Sequence, residues 1–389
     1  MQNKKFVTKF SVIYFIAYVV FAIAYTEFVP FLTKLGYSAS ERGILIASYA
    51  ITNILFQIVF GFISDKYRNT KMMFIIALLG YVVGSFMFFN IHQQSFFLHL
   101  GFIALSGGLV NTCFGMLDNW MFTYGQHARE QFSFIRAFGS LGWAIVCFVL
   151  GYIINAFGFV SLGYICVVGA VVTFISMLLV NSEPTEIPTV HRQKIKMSDV
   201  KELINDPKWK LLTIILLFLY FATMSSSSVV MDKFIILGAS SIEIGYRWML
   251  CALVEIPLYV LGSKLLRRYG AYKLLMLAGF MIVLQFYLFA FSTSVLQMLI
   301  ITCLQVFTAP IMMIASRMLY YDYSSEKLKT TSMLLSLSIY QGISMLLVPS
   351  LGGVITDAFG VNVTLICVAS LALVGFVLTF KLDKLVKDK

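Results

Sequence analysis

The stretch NSEPTEIPTVHRQKIKMSDVKELINDPKWK (181–210) is the longest polar run in a chain of 389 residues. It holds three of the seven prolines and the basic residues Arg192, Lys194, Lys196, Lys201, Lys208 and Lys210. Within it, SDVKEL reads as a short helix capped by Ser198 or Asp199. On either side the sequence turns apolar, and each side divides into six hydrophobic runs separated by short loops. Before it the runs fall near 8–33, 42–64, 72–90, 96–125, 133–156 and 158–181. After it they fall near 209–236, 241–263, 272–292, 295–322, 330–355 and 361–381. A helix of roughly 20 apolar residues crosses a bilayer, and these runs reach that length.

Composition agrees. Sixty per cent of the residues are hydrophobic, 12% are charged and the mean hydropathy is +0.88, whereas a soluble chain carries about 25% charged residues. The sequence therefore predicts an all-α integral membrane protein of twelve transmembrane helices in two pseudo-symmetric six-helix bundles. The first bundle is 1–181, the linker 182–208 and the second bundle 209–389. Six-plus-six spans with a long connector are the outline of two transporter halves.

The net charge of +11 reports orientation rather than a nucleic-acid partner. Lys4, Lys5 and Lys9 precede span 1; Lys66, Arg68 and Lys71 follow span 2. Lys264, Arg267, Arg268 and Lys273 follow span 8, and Lys381 to Lys389 end the chain. The alternate loops hold little beyond Lys34, Arg42 and Lys233. That alternation is the positive-inside pattern and predicts cytoplasmic termini and a multi-pass protein of the plasma membrane. The basic N-terminus leads into an apolar run longer than a signal h-region, with no small-residue cleavage pattern, so no cleavable signal is expected.

The six cysteines (113, 147, 166, 251, 303 and 367) lie in apolar segments without paired spacing, and the four histidines form no ligand cluster. Packing is the expected role of the cysteines, with no disulfide framework and no metal. No phosphate-cradling glycine loop and no nucleophile arrangement is present, so the chain is expected to be neither an enzyme nor ATP-driven. The expected partners are the lipid bilayer and a small-molecule substrate, with a proton gradient in place of a cofactor and a monomer as the working unit.

Three side chains stand out inside these greasy segments. FSFIRAFGSLGWAI (132–145) puts Arg136 and Trp143 seven residues apart, two turns of one helix and one face. Asp118 lies on the preceding span, where an unpaired carboxylate is costly. The polar turn TYGQHAREQFS (123–133) can set this acid opposite this base. Charged groups hold hydroxyls bidentately and an indole stacks on a pyranose, so the expectation is a polyol site. A structural salt bridge between helices is the alternative.

A repeated mark follows spans 2 and 8, as GFISDKYRNTK (61–71) and SKLLRRYGAYK (263–273). The first resembles the cytoplasmic signature of the major facilitator superfamily, with Gly61, Asp65, Lys66 and Lys71 in register. Arg68 stands where that signature has glycine, and Gly270 and Lys273 are what the second copy retains. The resemblance implies that Asp65 pairs with basic groups to hold the halves in one conformation. Gly61 then marks a close helix approach.

A narrower resemblance, to the oligosaccharide:proton symporters (the lactose permease-like branch), is strongest over residues 17–150. AYTEFVPFL (24–32) resembles that branch's first helix, with Tyr25 and Pro30 in register, and RAFGSLGW (136–143) its sugar-binding helix 5. The branch's helix 4 carboxylate lies eighteen residues before the arginine, as Asp118 does here. The resemblance implies that Asp118 and Arg136 grip sugar hydroxyls while Trp143 stacks on the ring. It stops where that branch handles protons, since Gln305 and Thr308 occupy the positions of its helix 10 histidine and glutamate. Span 8, with WMLCALVEIPLYVLG (248–262), also resembles the phenylpropionate permeases, which lack the tryptophan.

Glu255, the one carboxylate deep in the second half, is the leading proton-coupling candidate. Glu27, beside Tyr25, is the second, as substrate ligand or coupling group. Arg317 is expected to reach for headgroups, the Ser225–Ser228 run to pack closely or line a cavity, and Asp232 to sit solvated at the outer rim beside Lys233. The expected function is proton-coupled symport of a sugar or oligosaccharide by alternating access. The alternatives are another small organic solute, such as an aromatic acid or nucleoside, and a drug efflux antiporter. Efflux ranks last because GSLGWAIVCFVLGYIINAFG (139–158) lacks the proline of the efflux branch's helix 5 motif.

Overall fold

The structure is a computed structural model and describes residues 2–67, 69–178, 180, 197–325 and 328–387. Among the described residues every regular element is helical. The first half comprises α1 (Gln2–Tyr25), α2 (Phe28–Lys34), α3 (Ala39–Tyr67), α4 (Thr70–Phe89), α5 (Phe96–Phe122), α6 (Gln126–Phe157) and α7 (Val160–Leu178). After a short connector helix α8 (Met197–Asn205), the second half begins with α9 (Pro207–Ser225), α10 (Val229–Ile236), α11 (Ser241–Tyr269) and α12 (Ala271–Phe291). It ends with α13 (Val295–Thr302), a 3-10 turn (Cys303–Phe307), α14 (Ala309–Tyr323), α15 (Lys329–Phe359) and α16 (Val361–Lys387).

These are the twelve expected spans, with differences that matter for the site. Spans 1, 7 and 10 are broken. Span 1 turns at Thr26 and Glu27 between α1 and α2, span 7 at Ser226–Ser228 between α9 and α10, and span 10 through the 3-10 turn before Pro310. Apolar periodicity does not show such breaks, because the residues on both sides stay apolar. The expected helix at SDVKEL is α8, whereas linker residues 181–196 lie outside the described residues.

Among the described residues eleven spans are long and apolar enough to cross a membrane by length and composition. Span 8 is α11, which carries Glu243, Arg247, Glu255, Lys264, Arg267 and Arg268. Its start is fixed by a capping box in which the Ser240 hydroxyl accepts from Glu243 N and the Glu243 carboxylate accepts from Ser240 N. The start of α9 is equally well specified: Asp206 accepts from the backbone of Lys208 and Trp209, and Pro207 takes the first helical position.

Within the first half α1 packs on α6 and α7, and α4 on α5 and α7. Within the second, α9 packs on α15 and α16, and α12 on α14 and α16. The halves meet chiefly through two helix pairs, α6 with α11 and α3 with α15, and more lightly through α2 with α10. The α6–α11 crossing is antiparallel and backbone-close. A Cβ placed on Gly245 would lie 2.3 Å from the Cys147 carbonyl oxygen, and one on Gly151 would lie 2.4 Å from Ile242 Cα. No larger residue fits at either position.

The end of the molecule opposite the termini is shut. There Arg42 of α3 donates to Asp232 of α10, Nη2 to Oδ1 at 2.7 Å, with both residues at least nine-tenths buried. Asp357 near the end of α15 accepts from the backbone of Ala39 (3.0 Å) and Ser40 (2.8 Å), the first turn of α3. An acid at a helix N-terminus satisfies donors that have no partner within the helix. The expectation that Asp232 is solvated at the rim is thus overturned: a basic partner from the other half, 190 positions away in sequence, draws it inside. Lys233 is also buried and donates to Asn362.

At the opposite end, around the basic motif, Gly61 does not mark a close approach: a Cβ there would meet nothing within 4 Å. The backbone-close contacts between the halves lie at the far end, so nothing presses on Gly61. The described motif residues engage their own half. Lys66 lies over the Tyr67 ring, and Lys71 donates to the Met177 carbonyl at 3.1 Å. The Asp65 side chain and Arg68 lie outside the described residues.

Asp232→Asn removes the charge that neutralises Arg42 in a buried setting, at a cost of about 3–5 kcal/mol to the closed end. In a cysteine-free background, a single cysteine at Ile46, beside this ion pair, should react faster with a membrane-impermeant thiol reagent in the Asp232→Asn protein. Unchanged labelling would mean that the pair does not hold this end shut.

Candidate functional site

The register of α6 on α11 builds the site. With Gly151 against Ile242 and Gly245 against Cys147, antiparallel helices place Trp143 level with Trp248 and Arg136 level with Glu255. A cavity of about 220 Å³ opens there, lined by Tyr18, Arg136, Ser140, Trp143, Trp248 and Glu255, with Phe114, Cys251, Ala252 and Gln305 completing the wall. One side, from α1, α5 and α6, brings a guanidinium and an indole; the other, from α11, brings a carboxylate and a second indole.

Each group is held by its neighbours. The Arg136 guanidinium lies over the Tyr18 ring at 4.6 Å and over Phe114 at 5.5 Å, a cation–π cradle that fixes a long side chain. Glu255 accepts from Gln305 Nε2 at 3.3 Å, and Gln305 in turn accepts from Cys251 Sγ at 3.5 Å. Gln305 lies in the 3-10 turn that interrupts span 10. Tyr25 sits between the indoles, with ring centroids 5.9 Å from Trp143 and 6.3 Å from Trp248.

The glycines of RAFGSLGW explain how α6 reaches this position. A Cβ on Gly142 would lie 2.3 Å from the Phe15 carbonyl oxygen, and one on Gly139 would press on the Tyr18 ring at 2.9 Å. The backbone of α6 therefore lies directly against α1, which places Arg136 and Trp143 on the cavity wall and not in lipid.

The Asp118 carboxylate accepts a hydrogen bond from Tyr14 Oη at 2.6 Å, and among the described residues no ion pair joins it to Arg136. The acid on the cavity wall level with Arg136 is Glu255. Glu27 lies at the break between α1 and α2, 1% exposed, with Oε2 lacking a hydrogen-bond partner. Among the described residues no group of His, Cys, Asp and Glu has the makings of a metal site.

Trp248 and Tyr18 were not anticipated from sequence. Trp248 and Glu255 are seven residues apart, the spacing that singles out Arg136 and Trp143, so the same face argument applied to span 8 finds Trp248. Tyr18 has no such signal. Both carry a buried donor without a partner, Trp248 Nε1 and Tyr18 Oη. Unpaired buried donors are costly, and an acceptor-rich ligand relieves that cost.

The arrangement has relatives. Residues 7–367 match the model of the MFS_1-like family. The chain belongs to that family, within the major facilitator superfamily. It is 24% identical over 356 residues to an uncharacterised transporter, YwbF, of Bacillus subtilis, covering 90% of this chain and 87% of that one. It is 21% identical over 360 residues to a lactose permease of Klebsiella oxytoca (87% and 85% covered). A 179-residue segment is 25% identical to a sucrose permease of Escherichia coli (44% and 42% covered). Among solved structures, the nucleoside transporter NupG superposes with a TM-score of 0.79 at 14% identity, covering 97% of this chain and 99% of that one. That likeness shows the fold. The protein is a transporter of this family and not an enzyme.

Arg136→Ala should lower substrate affinity by roughly 2–5 kcal/mol, because it removes a charge-assisted donor from a desolvated wall. Trp143→Phe should keep part of the stacking and Trp143→Ala should not, and Trp248 should follow the same order. Isothermal titration of the purified variants reads these changes. Wild-type affinity in Arg136→Ala would remove this residue from the site.

Proposed function

We propose that the chain is a secondary transporter that carries a sugar or oligosaccharide in symport with protons. The observation that carries this reading is the pairing across one cavity of Arg136 with Glu255 and of Trp143 with Trp248. A pyranose presents hydroxyls around its edge and C–H bonds on its faces. A guanidinium and a carboxylate suit the first and two indoles suit the second. The sugar permeases among the relatives, at 21–25% identity, support the same reading.

Coupling is assigned to Glu255. Gln305 and Thr308 hold no exchangeable charge, whereas a carboxyl on the cavity wall, accepting from Gln305, can take up and release a proton. Alternating access follows from a far end that closes through a breakable ion pair. By the positive-inside pattern, the end bearing the termini faces the cytoplasm, with the protein in the plasma membrane. A second reading, a nucleoside or other aromatic solute, is favoured by the same two indoles, which would stack on a planar ring.

Uptake of a labelled glycoside panel into proteoliposomes, with and without an inward proton gradient, tests the proposal. Gradient-driven accumulation of a glycoside is expected; accumulation of nucleosides alone would replace the sugar. Glu255→Gln should abolish uphill accumulation yet leave exchange of substrate largely intact, because exchange needs only the loaded carrier to reorient. Glu27→Gln is the comparison, and accumulation that survives both substitutions would rule out a proton bound at either residue.

A further inference from the structure

A second cavity, larger than the substrate cavity, lies on the outer flank of the second half. It is a recess of about 310 Å³ between α11, α12 and the 3-10 part of span 10. Its walls are apolar, with Leu258, Leu265, Leu277, Val306 and Phe307 among them. Tyr269 and Lys273 also line it, and both belong to the end of the molecule that carries the termini.

Two irregularities make the recess. Pro257 removes a backbone donor within α11 one residue before Leu258. Span 10 runs as a 3-10 turn from Cys303 to Phe307 and resumes as a helix only at Ala309. The same turn directs Gln305 to Glu255 and gives Val306 and Phe307 to the recess.

Lys273 is the informative residue. Its counterpart in the first half, Lys71, is taken up by the protein: it donates to the Met177 carbonyl and lies 5.5 Å from the centre of the Trp120 ring. Lys273 has no such partner among the described residues and is exposed. Around it stand Lys264, Arg267 and Arg268, all exposed, and the sequence holds no acidic residue between Glu255 and Asp322. An apolar slot capped by exposed cations, among them Lys273 with no ion pair among the described residues, has the chemistry of an anionic lipid site.

We propose that this recess binds one anionic phospholipid, with an acyl chain lying between α11, α12 and span 10 and the phosphate on Lys273 and Tyr269. Charge complementarity selects this occupant over a zwitterionic lipid, which would fill the slot but gain little from the cations. The bound chain would rest against the back of the turn whose front carries Gln305.

Native mass spectrometry of the detergent-purified protein, titrated with phosphatidylglycerol or with phosphatidylcholine of identical chains, tests this. Wild type should bind one phosphatidylglycerol more tightly than phosphatidylcholine, and Lys273→Ala should cut that preference about fivefold. Lys381→Ala, at the end of α16, should not. Val306→Trp, which fills the slot, should lose the bound lipid of either kind, with melting curves confirming that both variants are folded. Equal binding of the two lipids by wild type would reduce the recess to an ordinary lipid contact and overturn the proposal. So would a phosphatidylglycerol preference that survives both Lys273→Ala and Val306→Trp.

Discussion

The contact of α6 with α11 at Gly151 and Gly245 is the constraint on which the site depends. Inside a bilayer two helices gain nothing by hiding apolar surface from one another, so close van der Waals approach and small residues decide which helices pair. A Cβ at either glycine would collide with backbone of the facing helix, so the pair has one register. That register sets Trp143 level with Trp248 and Arg136 level with Glu255. Gly142 plays the same part between α6 and α1, so α6 is clamped from two sides and its polar face has one direction left to look.

The far end adds a second kind of contact. Arg42 and Asp232 are both removed from water, and the desolvation of two charges offsets much of their attraction. Such a pair contributes little net stability, yet it penalises any arrangement that separates the partners without rehydrating them. Asp357, on α15 against the first turn of α3, is exposed and accepts from the Ser40 hydroxyl at the edge of the same closure. The far end is therefore held by interactions that water can replace once the halves part.

What the sequence reveals, and what it hides, follows the range of the interactions involved. The twelve spans, the connector and the face shared by Arg136 and Trp143 are local properties of one segment, legible from hydropathy and helical period. Trp248 was within reach of the same rule, since Trp248 and Glu255 share a face of α11. The partner of Asp118 was not, because Tyr14 lies 104 positions away and nothing in the spacing of either residue points to the other. Asp232 was misplaced for the same reason: proximity in sequence suggested Lys233, and the fold supplied Arg42. The breaks in spans 1, 7 and 10 were hidden because Glu27, Ser226 and Gln305 interrupt runs whose mean hydropathy stays high.

The breaks in spans 1 and 7 match between the halves, whereas the groups they present do not. Irregular backbone inside a membrane is tolerated where it is buried in protein or lines a cavity. Each break here presents a polar group in such a place. In span 1 it is Glu27, buried with one oxygen unpaired. In the matching span 7 it is Ser226, whose carbonyl and hydroxyl both accept from the buried Arg247. An acid at one break and a base bound to the other, on helices that meet through α2 and α10, give the interface an electrostatic sense that the pseudo-symmetry of the spans does not contain. The repeat supplies two bundles able to rock against each other; the departures from the repeat supply the groups that can bind, titrate or carry a charge between them.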